Sequence, residues 1–86
     1  MHAVVVDVEI NDPDAARKGL EDIVPTIREA PGFVAGYWVR IDDRHGTSVV
    51  IFETEDQARA GAPPADGTAP GVTMTGVSVG EVLASA

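Results

Sequence analysis

In the run AVVVDVEI, residues 3–10, an extended backbone puts Val4, Val6, Val8 and Ile10 on one side and Ala3, Val5, Asp7 and Glu9 on the other. One face is wholly apolar and the other is mixed, so the strand must be roofed on its apolar side by another part of the chain. The next segment, NDPDAARKGLEDIVPTIREAPG, has the chemistry of that roof. Asp12 is placed to cap a helix, Pro13 fits its first position, Asp14 lies near its positive end, and Pro31-Gly32 is a stop. Ala16, Leu20, Ile23 and Ile27 recur at intervals of 4, 3 and 4, the spacing of a buried stripe, with Val24 beside it. Pro25 has no amide hydrogen to give the carbonyl of Glu21, which predicts a kink or a break into two pieces.

Beyond the stop, Phe33 to Ile41 or Asp42 reads as a second strand, DDRHG as a turn with Gly46 at positive φ, and Thr47 to Glu53 as the third strand of a hairpin. Thr54 and Gln57 have the spacing of a capping box and open a short helix, TEDQARAGA, stopped by Gly61, Pro63 and Pro64. Pro63 to Gly71 is rich in Pro, Gly and small residues and is expected to be a loop. VTMTGVSVGEVLAS follows as a long last strand, with Gly76 and Gly80 suited to bulges or bends. The order is strand, helix, strand, strand, helix, strand. It predicts an α+β fold of the ferredoxin-like βαββαβ type, a four-stranded antiparallel sheet with both helices on one face. Residues 1–86 contain no internal repeat and no dividing linker, so one domain is expected.

Charge and composition narrow the partners. Fourteen Asp and Glu against six Lys and Arg give a net charge of −8, with no basic cluster, so neither nucleic acid nor an anionic membrane is an expected partner. No apolar run approaches the roughly 20 residues of a membrane span. The start MHAVVVDVEI lacks a basic n-region and a cleavage site, so no secretory signal is expected. Cysteine is absent, which excludes disulfides and thiolate metal sites and leaves the cytoplasm as the expected location.

Strict alternation over residues 33–42 puts Phe33, Ala35, Tyr37, Val39 and Ile41 on one side and Val34, Gly36, Trp38, Arg40 and Asp42 on the other. The all-apolar set is expected beneath the helices with Val4, Val6, Val8 and Ile10. Trp38, Arg40, Val5, Asp7 and Glu9 are then expected on the bare face, which is too apolar for bulk water and is covered by a second copy of the chain. A homodimer burying about 800 Å² per partner is the expected result.

The order of elements, the helix ending in APGF, and the segments PGFVAGYWVRIDD and VIFETEDQARA resemble the dimeric α/β-barrel superfamily, in particular small proteins of the antibiotic-biosynthesis-monooxygenase-like group. The resemblance spans nearly the whole chain and rests on packing motifs. It implies two ferredoxin-like subunits packed sheet against sheet, each with a pocket between its own sheet and helices. The activities it implies are cofactor-independent oxygenation of polyketide-derived aromatics and haem degradation. Haem-degrading members carry a His on the second helical segment, which TEDQARAGAPP lacks, and a pocket Trp on a strand other than that of Trp38, so that activity is not carried over. Asn11 matches the polar group that the resemblance places near the end of the first strand.

In cofactor-free oxygenation the substrate supplies electrons to O₂, while the protein binds it, promotes its deprotonation and excludes water. The expected function is therefore a monooxygenase-like protein that needs no cofactor and binds a small apolar or aromatic molecule between sheet and helices. The alternative is a non-catalytic dimer of the same fold that binds a small ligand or a partner. Tyr37 and Asn11 are the candidate polar contacts in the pocket. Trp38 either anchors the dimer or stacks on a planar substrate, with the anchor favoured. Arg40 either binds a carboxylate or pairs with Asp7, Glu9 or Asp42, with pairing favoured. His2 and His45 lack ligand spacing, and Asp42 and Asp43 with Asp66 or Glu53 do not make a dense oxygen cage, so no metal is expected.

Overall fold

The computed structural model describes residues 1–65 and 67–86. Asp66, considered above as a cation ligand, lies outside the described residues. The elements are β1 (His2–Ile10), α1 (Pro13–Arg28), β2 (Phe33–Arg40), β3 (His45–Phe52), α2 (Glu55–Gly61), β4 (Thr68–Ala69) and β5 (Val72–Glu81). The strands form one antiparallel sheet in the order β2-β3-β1-β5-β4. The α+β layering is as expected, but the sheet has five strands. The additional one, β4, is two residues long and pairs with β5 inside the segment expected to be a loop.

Local chemistry sets the helix ends. Asp12 Oδ1 accepts from the backbone N–H of Asp14 at 3.1 Å and of Ala15 at 3.2 Å, and Pro13 occupies the first turn. Thr54 and Gln57 close a reciprocal capping box on α2, each side chain accepting from the other residue's backbone N–H at 3.2 Å. Of the kink or break expected at Pro25, the break into two pieces is absent: α1 runs from Pro13 to Arg28 as one element with Pro25 inside it. Glu21 and Pro25 both lie on the exposed side, where water can satisfy the carbonyl that Pro25 leaves without a donor.

The β2–β3 turn also differs from expectation. Gly46 is a buried residue of β3, and the positive φ angles are at Gly32 and Gly71. Asp42 makes the turn: its Oδ1 accepts the backbone N–H of Arg44 at 2.8 Å and of His45 at 2.9 Å, and its carboxylate meets His45 Nδ1. The Arg44 N–H first, and the His45 side chain next, hold the Asp42 carboxyl below the ordinary aspartate range. A carboxyl depressed in the folded state stabilises above its unfolded pKa, and that contribution is lost as pH falls through the folded one. Asp42→Ala is therefore expected to be less stable than the parent at neutral pH. The gap should close between about pH 5 and pH 2 in urea melts followed by circular dichroism. A gap that stays constant over that range would remove the carboxylate's role in the turn.

The core is Val4 and Val6 of β1, Val50 and Phe52 of β3 and Ala58 of α2, with Ile27, Ala30, Phe33, Trp38, Met74, Val77 and Val79 packed around it. Both helices thus cover the same face. α2 lies across β1, β3 and β5, whereas α1 has no fully buried residue and leaves Ile23 46% exposed. β5 carries a register shift opposite Asp7 and Val8 that leaves Thr75 as an extra residue beside Gly76, where a bulge was expected. Among the described residues no helix is long and apolar enough to cross a membrane.

A second register shift overturns the expected faces of β2. Phe33 pairs with Phe52 but Ala35 pairs with Ile51, so Val34 is inserted as a bulge. Each residue after Val34 is thereby turned to the opposite side. Gly36, Trp38 and Arg40 share the helix-covered face with Val50 and Ser48, while Ala35, Tyr37, Val39 and Ile41 face outward. The insertion reconciles two demands. Phe33, whose N–H donates to the Ala30 carbonyl at 3.1 Å, and Trp38 both pack against the core on the same face, yet 33 and 38 differ in parity, so one residue has to be inserted between them.

Candidate functional site

Between α1 and the inner face of the sheet lies a cavity of about 440 Å³. That is within the size range of small-molecule sites. Its floor is Val4, Val6, Val8 and Ile10 of β1 with Val50, Val72 and Met74, and its roof is Ala16, Leu20, Ile23 and Ile27, the stripe read from the sequence. Room remains because the facing positions are small: Gly46 and Ser48 on β3, Ala16 and Gly19 on α1. The two ends of α1 are held. Gly71 O accepts the backbone N–H of Asn11 at 2.7 Å and of Asp12 at 3.0 Å, and at the far end Ile27 and Ala30 pack against the core.

Trp38, the single tryptophan of the chain, lines this cavity. Its indole lies over Gly36, where an added Cβ would stand 2.8 Å from Cη2. A glycine two residues before a tryptophan on one strand face provides the space for the ring. Arg40, the next inward residue, also lines the cavity, as does Arg17 of α1. These two arginines are its only lining residues with a formal charge, and among the described residues no Asp, Glu or His joins them.

The other candidates lie elsewhere. Tyr37 points away from the helices and is 61% exposed. Asn11 is exposed and its Nδ2 donates to Thr73 Oγ1 at 2.9 Å, which fastens the β1–α1 junction to β5. Tyr37 and Asn11 are therefore not brought together, and neither lines the cavity. Of the residues expected on the bare face, Val5, Asp7 and Glu9 are there, with Asp7 Oδ1 accepting from Thr47 Oγ1 at 3.0 Å. Trp38 and Arg40 are on the opposite face. Arg40 pairs with neither Asp7 nor Glu9: its Nε donates to the Asp42 carbonyl at 3.2 Å, and its Nη2 is 3.5 Å from Asp43 Oδ1. His2 Nε2 is 3.8 Å from Glu55, and among the described residues no three His, Asp or Glu side chains gather as metal ligands.

No family model, curated protein or solved structure matches the chain. The chemistry of the cavity rests on its own residues. Arg17 was not singled out from sequence, although its place next to Ala16 and three residues before Leu20 puts it on the border of the apolar stripe. Trp38 carried a readable signal in Gly36, which an unbroken alternation hides.

Proposed function

We propose that the protein binds a small apolar or aromatic molecule in the cavity beneath α1. The observation that carries this reading is an apolar space of about 440 Å³ with an indole on its wall. In its enzymatic form this is the cofactor-independent monooxygenase reading. A methylene of the substrate loses a proton, the carbanion reduces O₂, and loss of water from the resulting peroxide leaves a carbonyl, R₂CH₂ + O₂ → R₂C=O + H₂O. The cavity supplies an apolar wall that partly shields that sequence from water. Among the described residues it presents no carboxylate or imidazole to take the proton, so the substrate has to be acidic enough to ionise by itself. The same observation favours the second reading, ligand binding without turnover.

Titration with an anthrone or a quinol, followed through Trp38 emission and an oxygen electrode, separates the two. Saturable quenching with oxygen uptake supports the enzyme, and quenching without uptake supports the binding protein. Absence of saturable quenching throughout the panel would remove the cavity as a site.

A homodimer joined through the outer sheet face belongs to the same proposal. With the faces of β2 reversed, Tyr37, Val39 and Ile41 are 61%, 51% and 63% exposed beside Val5, Val49 and Ile51. Contiguous apolar surface of this kind marks an interface, and a second copy supplies a matching one. The four long strands in the order β2-β3-β1-β5, with both helices on one face, support the ferredoxin-like reading and its dimeric α/β barrel.

A further inference from the structure

We infer that the cavity selects an anion: a planar apolar body lying along Trp38, with a carboxylate, sulfonate, or ionised phenol or enol held by Arg40 and Arg17. The inference rests on the proposed cavity and adds the charge of its occupant. The chain has fourteen acidic residues and six Lys or Arg, yet the formal charges lining this space are two arginines and, among the described residues, no acid. A surface composition this acidic would put carboxylates there by default.

Topology brings the two arginines to one end. β1 and β2 are each antiparallel to β3, so both run the same way and finish at the same edge of the sandwich. Arg40 is the last residue of β2, and α1 starts three residues after the end of β1, which puts Arg17 in its second turn near that edge. Their donors are lightly used. Arg17 makes no ion pair or side-chain hydrogen bond among the described residues; Arg40 gives its Nε to the Asp42 carbonyl at 3.2 Å and reaches Asp43, whose side chain is fully solvated, only at 3.5 Å, which leaves its remaining Nη donors for a ligand. Such an exposed pair contributes little and gives way to a ligand oxygen. Guanidinium groups offer a planar fork matched to carboxylate geometry, and walls of Val, Ile and Leu accept the apolar body of the same ligand. A cation would meet like charge in the same place.

Two probes with one aromatic body test the charge. 8-Anilinonaphthalene-1-sulfonate is an anion and N-phenyl-1-naphthylamine is its neutral counterpart, and both accept energy from tryptophan. The full chain is titrated with each, reading transfer from Trp38, at a protein concentration where the proposed dimer covers the outer face. The sulfonate is expected to bind about 10-fold tighter or more than the neutral probe. Arg17→Gln with Arg40→Gln should abolish the preference and leave the neutral probe within about twofold, while the double Lys variant retains part of it. Both arginines are exposed, and unchanged far-ultraviolet circular dichroism confirms folding of the variants. Equal affinities in the parent, or a sulfonate preference that survives the double Gln variant, would overturn the anion assignment and leave the cavity standing. Failure of both probes to bind would remove the cavity itself.

Discussion

Tyr37→Glu is expected to convert the proposed dimer to a monomer at micromolar concentration, with the fold of each subunit intact. Tyr37 stands on the uncovered sheet face, 61% exposed, and pairs in register with Val49, which itself pairs with Val5. Removing a tyrosine anchor from an interface costs about 2 kcal/mol or more, and burying a carboxylate in its place adds to that. Two-fold symmetry enters each substitution twice, so about 4 kcal/mol is lost per dimer, roughly a thousandfold in dissociation constant. Tyr37 does not line the cavity, so binding of a neutral probe there is expected to persist. Sedimentation velocity of parent and variant decides the matter. A parent that sediments as a monomer, or a variant that sediments as a dimer, removes this face as the interface.

Gly71→Ala is expected to cost about 3 kcal/mol and to lower the melting temperature by roughly 15 °C. Gly71 has φ +74, a region that a side chain makes unfavourable, and an added Cβ would meet the carbonyl oxygen of Asp12 and stand 2.6 Å from the backbone nitrogen of Ala16. Those atoms belong to the cap and first turn of α1, so they cannot yield without lifting the helix from the β4–β5 turn. The turn is also what accepts the Asn11 and Asp12 N–H groups. The roof of the cavity should therefore open at that end, and probe affinity should fall together with stability. Gly80→Ala is the contrast: nothing lies within 4 Å of its added Cβ, and a change within about 0.5 kcal/mol is expected. Equal melting temperatures for Gly71→Ala and the parent would show that the helix start does not rest on this turn.

The sequence by itself determined what depends on near neighbours along the chain. Asp12 with Pro13, and Thr54 with Gln57, mark the two helix starts because a cap joins a side chain to N–H groups two or three residues away. The apolar face of β1 and the stripe of α1 were legible for the same reason, since each repeats with the period of a single element. The Asp42 turn was legible in place but not in mechanism, because Gly46 offered a simpler explanation than an aspartate folding back on two N–H groups.

Only the tertiary structure decided which way β2 presents its side chains. The inserted residue at Val34 exists because Phe33 and Trp38 have both to reach the same core, and that demand comes from Phe52, Ile27 and the small residues Gly36 and Gly46, which lie elsewhere in the chain or carry no polarity of their own. One extra residue exchanges Tyr37 for Trp38 beneath the helices and brings Arg40 to the cavity that Arg17 also lines. A period of two has no memory of where it began, so an alternation read from one end reverses completely at a single bulge, and the contacts that place the bulge are visible only after the chain has folded.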